Sequence, residues 1–202
     1  MKKIIFHLTF LVLALSCGEP PPQLPKPRLY PKVTYPEKSY KKFSEQNCPF
    51  TMQVPEYFEV VKDENRNSQE SQYNCWFDLY CKELNTYLHF SYIPFSNRKE
   101  FDKLISDAFE MADKHNIKAS SRQEALIDNQ AAEVYGLLFE IDGPVATPLQ
   151  FFMTDSTQNF IRGSLYFKSA VNRDSIAPVY DFLKSDVARM IEGFEWHDLT
   201  SN

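Results

Sequence analysis

The stretch Val134–Phe167, VYGLLFEIDGPVATPLQFFMTDSTQNFIRGSLYF, decides the fold. It holds three apolar, aromatic-rich runs separated by two breaks, Asp142-Gly143-Pro144 and Thr154-Asp155-Ser156-Thr157. Short runs rich in aromatic and aliphatic residues, bounded by such breakers, are the pattern of strands. Three consecutive strands are therefore expected. In the first, Tyr135, Leu137, Phe139 and Ile141 fall on one face by the alternation of side chains along a strand. The short connections make these strands antiparallel neighbours, at the centre of a sheet.

Upstream, Phe50, Met52 and Val54 alternate between Pro49 and Pro55, which predicts a short strand. A further strand over 57–62, a polar loop over 63–71, and a hairpin of 73–80 with 86–93 around Glu83-Leu84-Asn85 follow. Phe101, Leu104, Ile105, Ala108 and Ala112 recur at helical spacing, which predicts a first helix over 96–115 capped by Ser96 or Asn97. A short strand over 117–121 and a polar stretch then lead to the opening stretch. A second helix is expected over 175–191, with Ile176, Val179, Tyr180, Leu183, Val187, Met190 and Ile191 as its apolar stripe. Pro178 then falls in its first turn, and Gly193 ends it. Phe194-Glu195-Trp196 returns to the core. The fold class is α+β: an antiparallel β-sheet packed with two long helices.

The N-terminus reads as an export signal. Lys2 and Lys3 precede an apolar run, Ile4 to Leu15, that is shorter than the roughly 20 residues a membrane span requires. It ends in Leu13-Ala14-Leu15-Ser16-Cys17, which resembles a bacterial lipoprotein signal, with Cys17 as the lipidated first residue of the mature chain. Pro20, Pro21, Pro22, Pro25, Pro27, Pro31 and Pro36 follow. So many prolines keep the chain extended, at about 3 Å per residue, and hold a folded domain away from a membrane. The expected organisation is a signal peptide at 1–16, a lipidated Cys and proline-rich linker at 17–38, and a single α+β periplasmic domain at 39–202.

The chain carries a formal net charge of −5, and loss of Lys2 and Lys3 with the signal makes the remainder more acidic. An acidic surface disfavours nucleic acid and anionic lipid headgroups as direct partners.

Beyond Cys17 there are three cysteines, so at most one intramolecular bridge forms. Cys75 and Cys81, six residues apart in one extended run, would stand about 20 Å apart and cannot bridge each other. The preferred pair is Cys48 with Cys75, which leaves Cys81 to pack as a small apolar side chain. No CxxC pair and no close histidine partners suggest a metal site.

The residues offer little catalytic chemistry. His89 lies in a strand, His115 ends a helix and His197 is near the tail. Ser164 follows Gly163 within a strand, without the GxSxG turn that exposes a nucleophile. Cys81 and His89 could meet only if their hairpin apposed them. No catalytic residue, metal or cofactor is expected. Two polar positions stand out in the opening stretch as possible partner contacts. Asp155, with Ser156 and Thr157, reads either as a hairpin turn or as an exposed contact point. Arg162 either pairs with Asp155 or a helix acid, or marks a binding face, and a one-residue slip of register would reverse its side.

Several blocks resemble a known family. Tyr35-Pro36-Glu37-Lys38-Ser39-Tyr40, Cys48-Pro49-Phe50, Cys75-Trp76-Phe77, Leu88-His89-Phe90-Ser91-Tyr92, Tyr135-Gly136-Leu137-Leu138, the run from Pro148 to Thr157, Phe160 to Phe167, and Phe194-Glu195-Trp196, after a lipoprotein signal, look like the gliding motility lipoprotein GldD family of Bacteroidota. The resemblance spans essentially the whole mature chain. It implies a non-catalytic, membrane-anchored lipoprotein required for gliding motility and linked to type IX secretion, with other proteins of that apparatus as partners. It also implies a domain facing the periplasm. Because no clear acidic run follows Cys17, the outer membrane is favoured over the cytoplasmic membrane. The element order is also similar to a Mog1/PsbP-type sandwich. The competing expectation is a periplasmic ligand-binding lipoprotein that holds lipid, peptide or a cell-wall fragment between sheet and helices.

Overall fold

A computed structural model describes residues 32–45, 47–61, 75–114, 119–168 and 173–198, with the backbone alone at 173–175. The elements run β1 (Tyr40–Ser44), β2 (Phe50–Pro55), β3 (Glu59–Val61), β4 (Trp76–Cys81), β5 (Thr86–Pro94), α1 (Arg98–Asp113), β6 (Ser121–Asn129), β7 (Val134–Asp142), β8 (Leu149–Thr154), β9 (Asn159–Phe167), α2 (Arg173–Glu192) and β10 (Glu195–Trp196). The strands form two sheets: a small one in the order β1-β2-β10, and a seven-stranded one in the order β3-β4-β5-β9-β8-β7-β6. Every pairing is antiparallel. The opening stretch supplies β7, β8 and β9. It runs from the middle of the large sheet to one strand short of its edge, because β5 inserts beside β9.

Alternation sorts the large sheet into two faces. Leu88, Phe90, Leu149, Phe151, Ile161 and Leu165 point inward and share one core with Phe50, Met52 and Val54 of the small sheet and Leu183, Val187 and Met190 of α2. Phe139, Ile141, Phe152 and Phe160 point the other way, under Ala108 and Ala112 of α1. Rings fill the layer between the sheets: Phe43–Phe77 centroids lie 4.5 Å apart, Phe77–Phe90 4.9 Å and Phe50–Phe194 5.0 Å. The predicted face of Leu137, Phe139 and Ile141 is the α1 side.

Two glycines make this packing possible. Gly163 lies under the ring of Phe151 on the neighbouring strand, where an added Cβ would stand 2.1 Å from a ring carbon. At Gly136 an added Cβ would stand 1.9 Å from the carbonyl oxygen of Phe152. Ring-on-glycine pairing across strands fills the gap that a missing side chain leaves.

α1 starts where its sequence directs. Asn97 is the cap: its side chain accepts from the Glu100 amide at 3.0 Å, and Glu100 reaches back to the Ser96 amide at 2.8 Å. This reciprocal pairing satisfies orphan amides of the first turn. α2 begins at Arg173, two residues earlier than expected, so Pro178 lies inside the helix rather than in its first turn. It forgoes one intrahelical hydrogen bond there.

β6 is a second correction. A short strand over 117–121 and a polar stretch were expected; 117 and 118 lie outside the described residues, and the polar stretch itself is the nine-residue strand β6, paired with β7 over its whole length. As the sheet's last strand it buries little, so its side chains carry no apolar alternation. Similarly, β10 is the expected return of Phe194-Glu195-Trp196, recruited as a short strand beside β2.

Candidate functional site

Two polar clusters among the described residues bear on function. The first lies across the α1-side face of the large sheet. Register places Asp78 opposite His89, His89 opposite Ser164, and Ser164 opposite Gln150, one row across β4, β5, β9 and β8. His89 Nδ1 stands 2.8 Å from Asp78 Oδ1. Tyr87 and Tyr166 flank the imidazole, at 5.7 and 5.8 Å between ring centroids, and Tyr80 stacks on Tyr87 at 4.5 Å. Arg162 lies one row further along and donates to Gln150 Oε1, which is buried. Burial pushes the guanidinium pKa below its ordinary value.

An Asp-His-Ser row invites comparison with a nucleophilic triad. Such a triad needs the serine hydroxyl bonded to the imidazole, and amide donors aimed at the developing oxyanion. Here the imidazole bonds Asp78, and no hydrogen bond joins it to Ser164. The strands either side of Ser164 pair with β9 through their backbones, so its neighbouring amides belong to the sheet ladder. As arranged, the imidazole bonds Asp78 and not the Ser164 hydroxyl.

The second place is where the chain enters the fold. Asp186 of α2 is 0% exposed, yet it accepts three bonds: from Tyr40 Oη at 2.5 Å, from Lys38 Nζ at 2.9 Å, and a short one from Tyr57 Oη. A buried carboxylate is tolerated only with such partners. Lys38 Nζ also donates to Phe182 O at 3.0 Å and lies 4.2 Å from the centre of the Phe182 ring. Tyr35 packs on that ring at 4.8 Å, and the Arg189 guanidinium covers Tyr40 at 4.0 Å. Tyr35 and Lys38, within the expected linker 17–38, are thus fastened to α2. Burial, then the bond to Asp186 and its charge, push the Tyr40 pKa up to about 12, with Arg189 opposing. The same causes, with lesser contributions from Cys81 and Tyr40, raise Tyr57 well above its ordinary value.

Of the residues singled out in the sequence, Cys17 and His115 lie outside the described residues. Cys48 and Cys75 are joined, with Cα atoms 5.1 Å apart, and the bridge ties the start of β2 to the start of β4. Cys81 is free and buried; burial pushes its thiol up to about 11. His89 is on β5 and His197 follows β10 in the other sheet, so among the described residues no histidine pair forms.

Asp155 does not pair with Arg162. Its Oδ1 accepts the amides of Thr157, Gln158 and Asn159, each at 2.9 Å, and its Oδ2 accepts the Asn159 side-chain amide at 2.7 Å. Partial burial alone would raise its pKa; these donors outweigh it and leave the carboxyl below the usual range. The sequence reading missed the Asp186 cluster. Its signal was present: an acid inside the apolar stripe, between Leu183 and Met190.

Among the described residues no cluster of three or more His, Cys, Asp or Glu side chains could hold a metal ion, and no helix is long and apolar enough to cross a membrane. No curated protein matches the sequence. The solution structure of cyanobacterial PsbP (CyanoP) from Synechocystis sp. PCC 6803 is similar at 13% identity and a TM-score of 0.48, over 84% of this chain and 99% of that one. The profile of the family described as "Gliding motility lipoprotein GldD" matches residues 21–196. With nearly the whole chain inside that match, including both the Asp186 cluster and the Asp78–His89–Ser164 row, the protein belongs to the GldD family of gliding motility lipoproteins.

Proposed function

We propose that this protein is a non-catalytic component of the gliding apparatus and its associated type IX secretion. In this reading Cys17 carries the lipid, the proline-rich segment spaces the domain from the outer membrane, and the domain faces the periplasm to bind other proteins of the apparatus. Family membership makes it a gliding motility lipoprotein. The observation that carries the rest is the clamp on Asp186. It fastens the end of the spacer to the helix that packs across the core, so force on the anchor reaches the whole domain.

The side chains packed between the large sheet and each helix support this reading over a ligand-binding lipoprotein, which would need space between sheet and helices. The Asp78–His89–Ser164 row, with its serine unbonded to the imidazole, supports it over a hydrolase. Deleting the gene tests the proposal. Colony spreading and type IX export should both fail. Intact spreading and intact export in the deletion strain would overturn the reading. For the anchor, Cys17→Ala should move the protein out of the membrane fraction; unchanged mass and membrane association would refute lipidation at Cys17.

A further inference from the structure

The two edges of the large sheet differ. β3 is three residues long, whereas β6 is nine residues long and, among the described residues, has no strand on its outer side, where alternate residues direct their backbone donors and acceptors. Exposed edges are normally blunted by charged side chains, lysine above all, or by a proline, a bulge or short length; β6 carries Arg122, Glu124 and Asp128. β6, Ser-Arg-Gln-Glu-Ala-Leu-Ile-Asp-Asn, has no lysine and no proline, and pairs with β7 without a bulge. In its middle, Leu126 is 75% exposed, more than any other large apolar residue among those described.

The sequence of β6 is complementary to itself. Two copies related by a twofold axis through the sheet keep each side chain on its own face, so only residues of like parity lie opposite one another. Among registers centred near mid-strand, centring on Glu124 sets Glu124 against its own copy. Centring on Leu126 sets Glu124 against Asp128. Like charges opposite one another are destabilising. Centring on Ala125 avoids both: Arg122 lies opposite Asp128 twice, Glu124 opposite Leu126 twice, and Gln123 opposite Ile127 twice. The two Leu126 side chains then meet diagonally across the axis. Arg122 already bonds Asp113 and, at 2.9 Å, Glu124, both through its terminal nitrogens. A guanidinium has five N–H donors, so capacity remains for a third acid. α1 stands at the Arg122 end of β6 and so, by the twofold, on opposite corners of the pair, away from the axis.

We propose that two copies of this protein pair edge to edge through β6, antiparallel and centred on Ala125, into one continuous sheet of fourteen strands. The interface is small, and anchoring in a common membrane plane raises the encounter rate that such an interface needs.

Cysteine crosslinking of the full-length protein in its own cells tests this. Directly opposed residues of antiparallel strands have Cα atoms about 4.5–5.5 Å apart, within disulfide range. Ala125→Cys should give a reducible dimer of twice the monomer mass. Gln123→Cys, about 13 Å from its own copy, should give none. Asp128→Lys in the Ala125→Cys background should cause loss of the dimer, and adding Arg122→Glu should restore it. A monomeric Ala125→Cys protein at normal abundance would overturn the proposal. So would equal dimer from Gln123→Cys, which signals random collision. An adduct of any other mass would place another protein on the edge and overturn it equally.

Discussion

Lys38 and Asp186, 148 residues apart in the chain, meet at 2.9 Å on the buried side of α2, where Tyr40 and Tyr57 complete the carboxylate's shell. The chain enters the fold past this pair. Removing the carboxylate takes the acceptor from two phenols, while Lys38 keeps Phe182 O and Ser185 Oγ. Asp186→Ala should therefore cost about 3 kcal/mol, read as a lowered denaturant midpoint with unchanged slope. Lys38→Ala leaves Asp186 its two tyrosine donors and should cost less, about 1.5 kcal/mol. Equal losses would show that the cluster is not organised around Asp186.

The same cluster sets an alkaline limit. The Tyr40 pKa is raised to about 12, and Tyr57 is raised as well, so the folded protein holds both protons more tightly than the unfolded chain. A raised phenol pKa contributes stability that is complete below the unfolded value of about 10 and is lost as pH rises through the folded value. Phenolate absorbance should lag in the folded protein above pH of about 10, and unfolding should accompany its appearance. Asp155 works at the other end. Its carboxyl is held below the usual range, so its contribution is present above the unfolded value and lost as pH falls through the folded one. Asp155→Ala should lower stability at neutral pH and flatten the acid limb of the stability curve. An unchanged acid limb would contradict the turn's role.

Gly163 and Gly136 should rank differently. At 163 the obstacle is the Phe151 ring, a side chain that can turn aside; at 136 it is the Phe152 carbonyl, which cannot. Gly163→Ala is expected to cost about 1–3 kcal/mol and Gly136→Ala more, measured by thermal or denaturant unfolding. The reverse order would contradict the packing described.

The Cys48–Cys75 bridge closes a loop with 27 residues of sequence separation. Its removal by Cys48→Ser with Cys75→Ser should cost about 3 kcal/mol. In the unreduced protein, Cys81 is the free thiol among the described residues. Its burial and raised pKa predict slow labelling that speeds only on unfolding. Fast labelling of the native protein would contradict its placement.

Much of this fold was legible in local pattern. Tyr135 to Ile141 alternates, Asp142-Gly143-Pro144 and Thr154 to Thr157 break the chain, and Asn97 with Glu100 announces a capped helix; each signal is complete within a few residues. β6 was not legible, because an edge strand buries too little to alternate and is held by backbone bonds to β7. Nor was the row of Asp78, His89 and Ser164, which depends on the register of strands far apart in sequence. The same holds for Arg162, which reaches Gln150 rather than Asp155 because Asp155 is consumed by its own turn. Asp186 lay in plain view on an apolar stripe, but its partners come from over a hundred residues upstream.

Colony spreading by a deletion strain that carries a His89→Ala, Ser164→Ala version as its sole copy tests the non-catalytic account most directly. If the Asp78–His89–Ser164 row performs no chemistry, this strain spreads like the wild type at equal protein abundance. Loss of spreading with the variant protein folded, anchored and abundant would contradict the account.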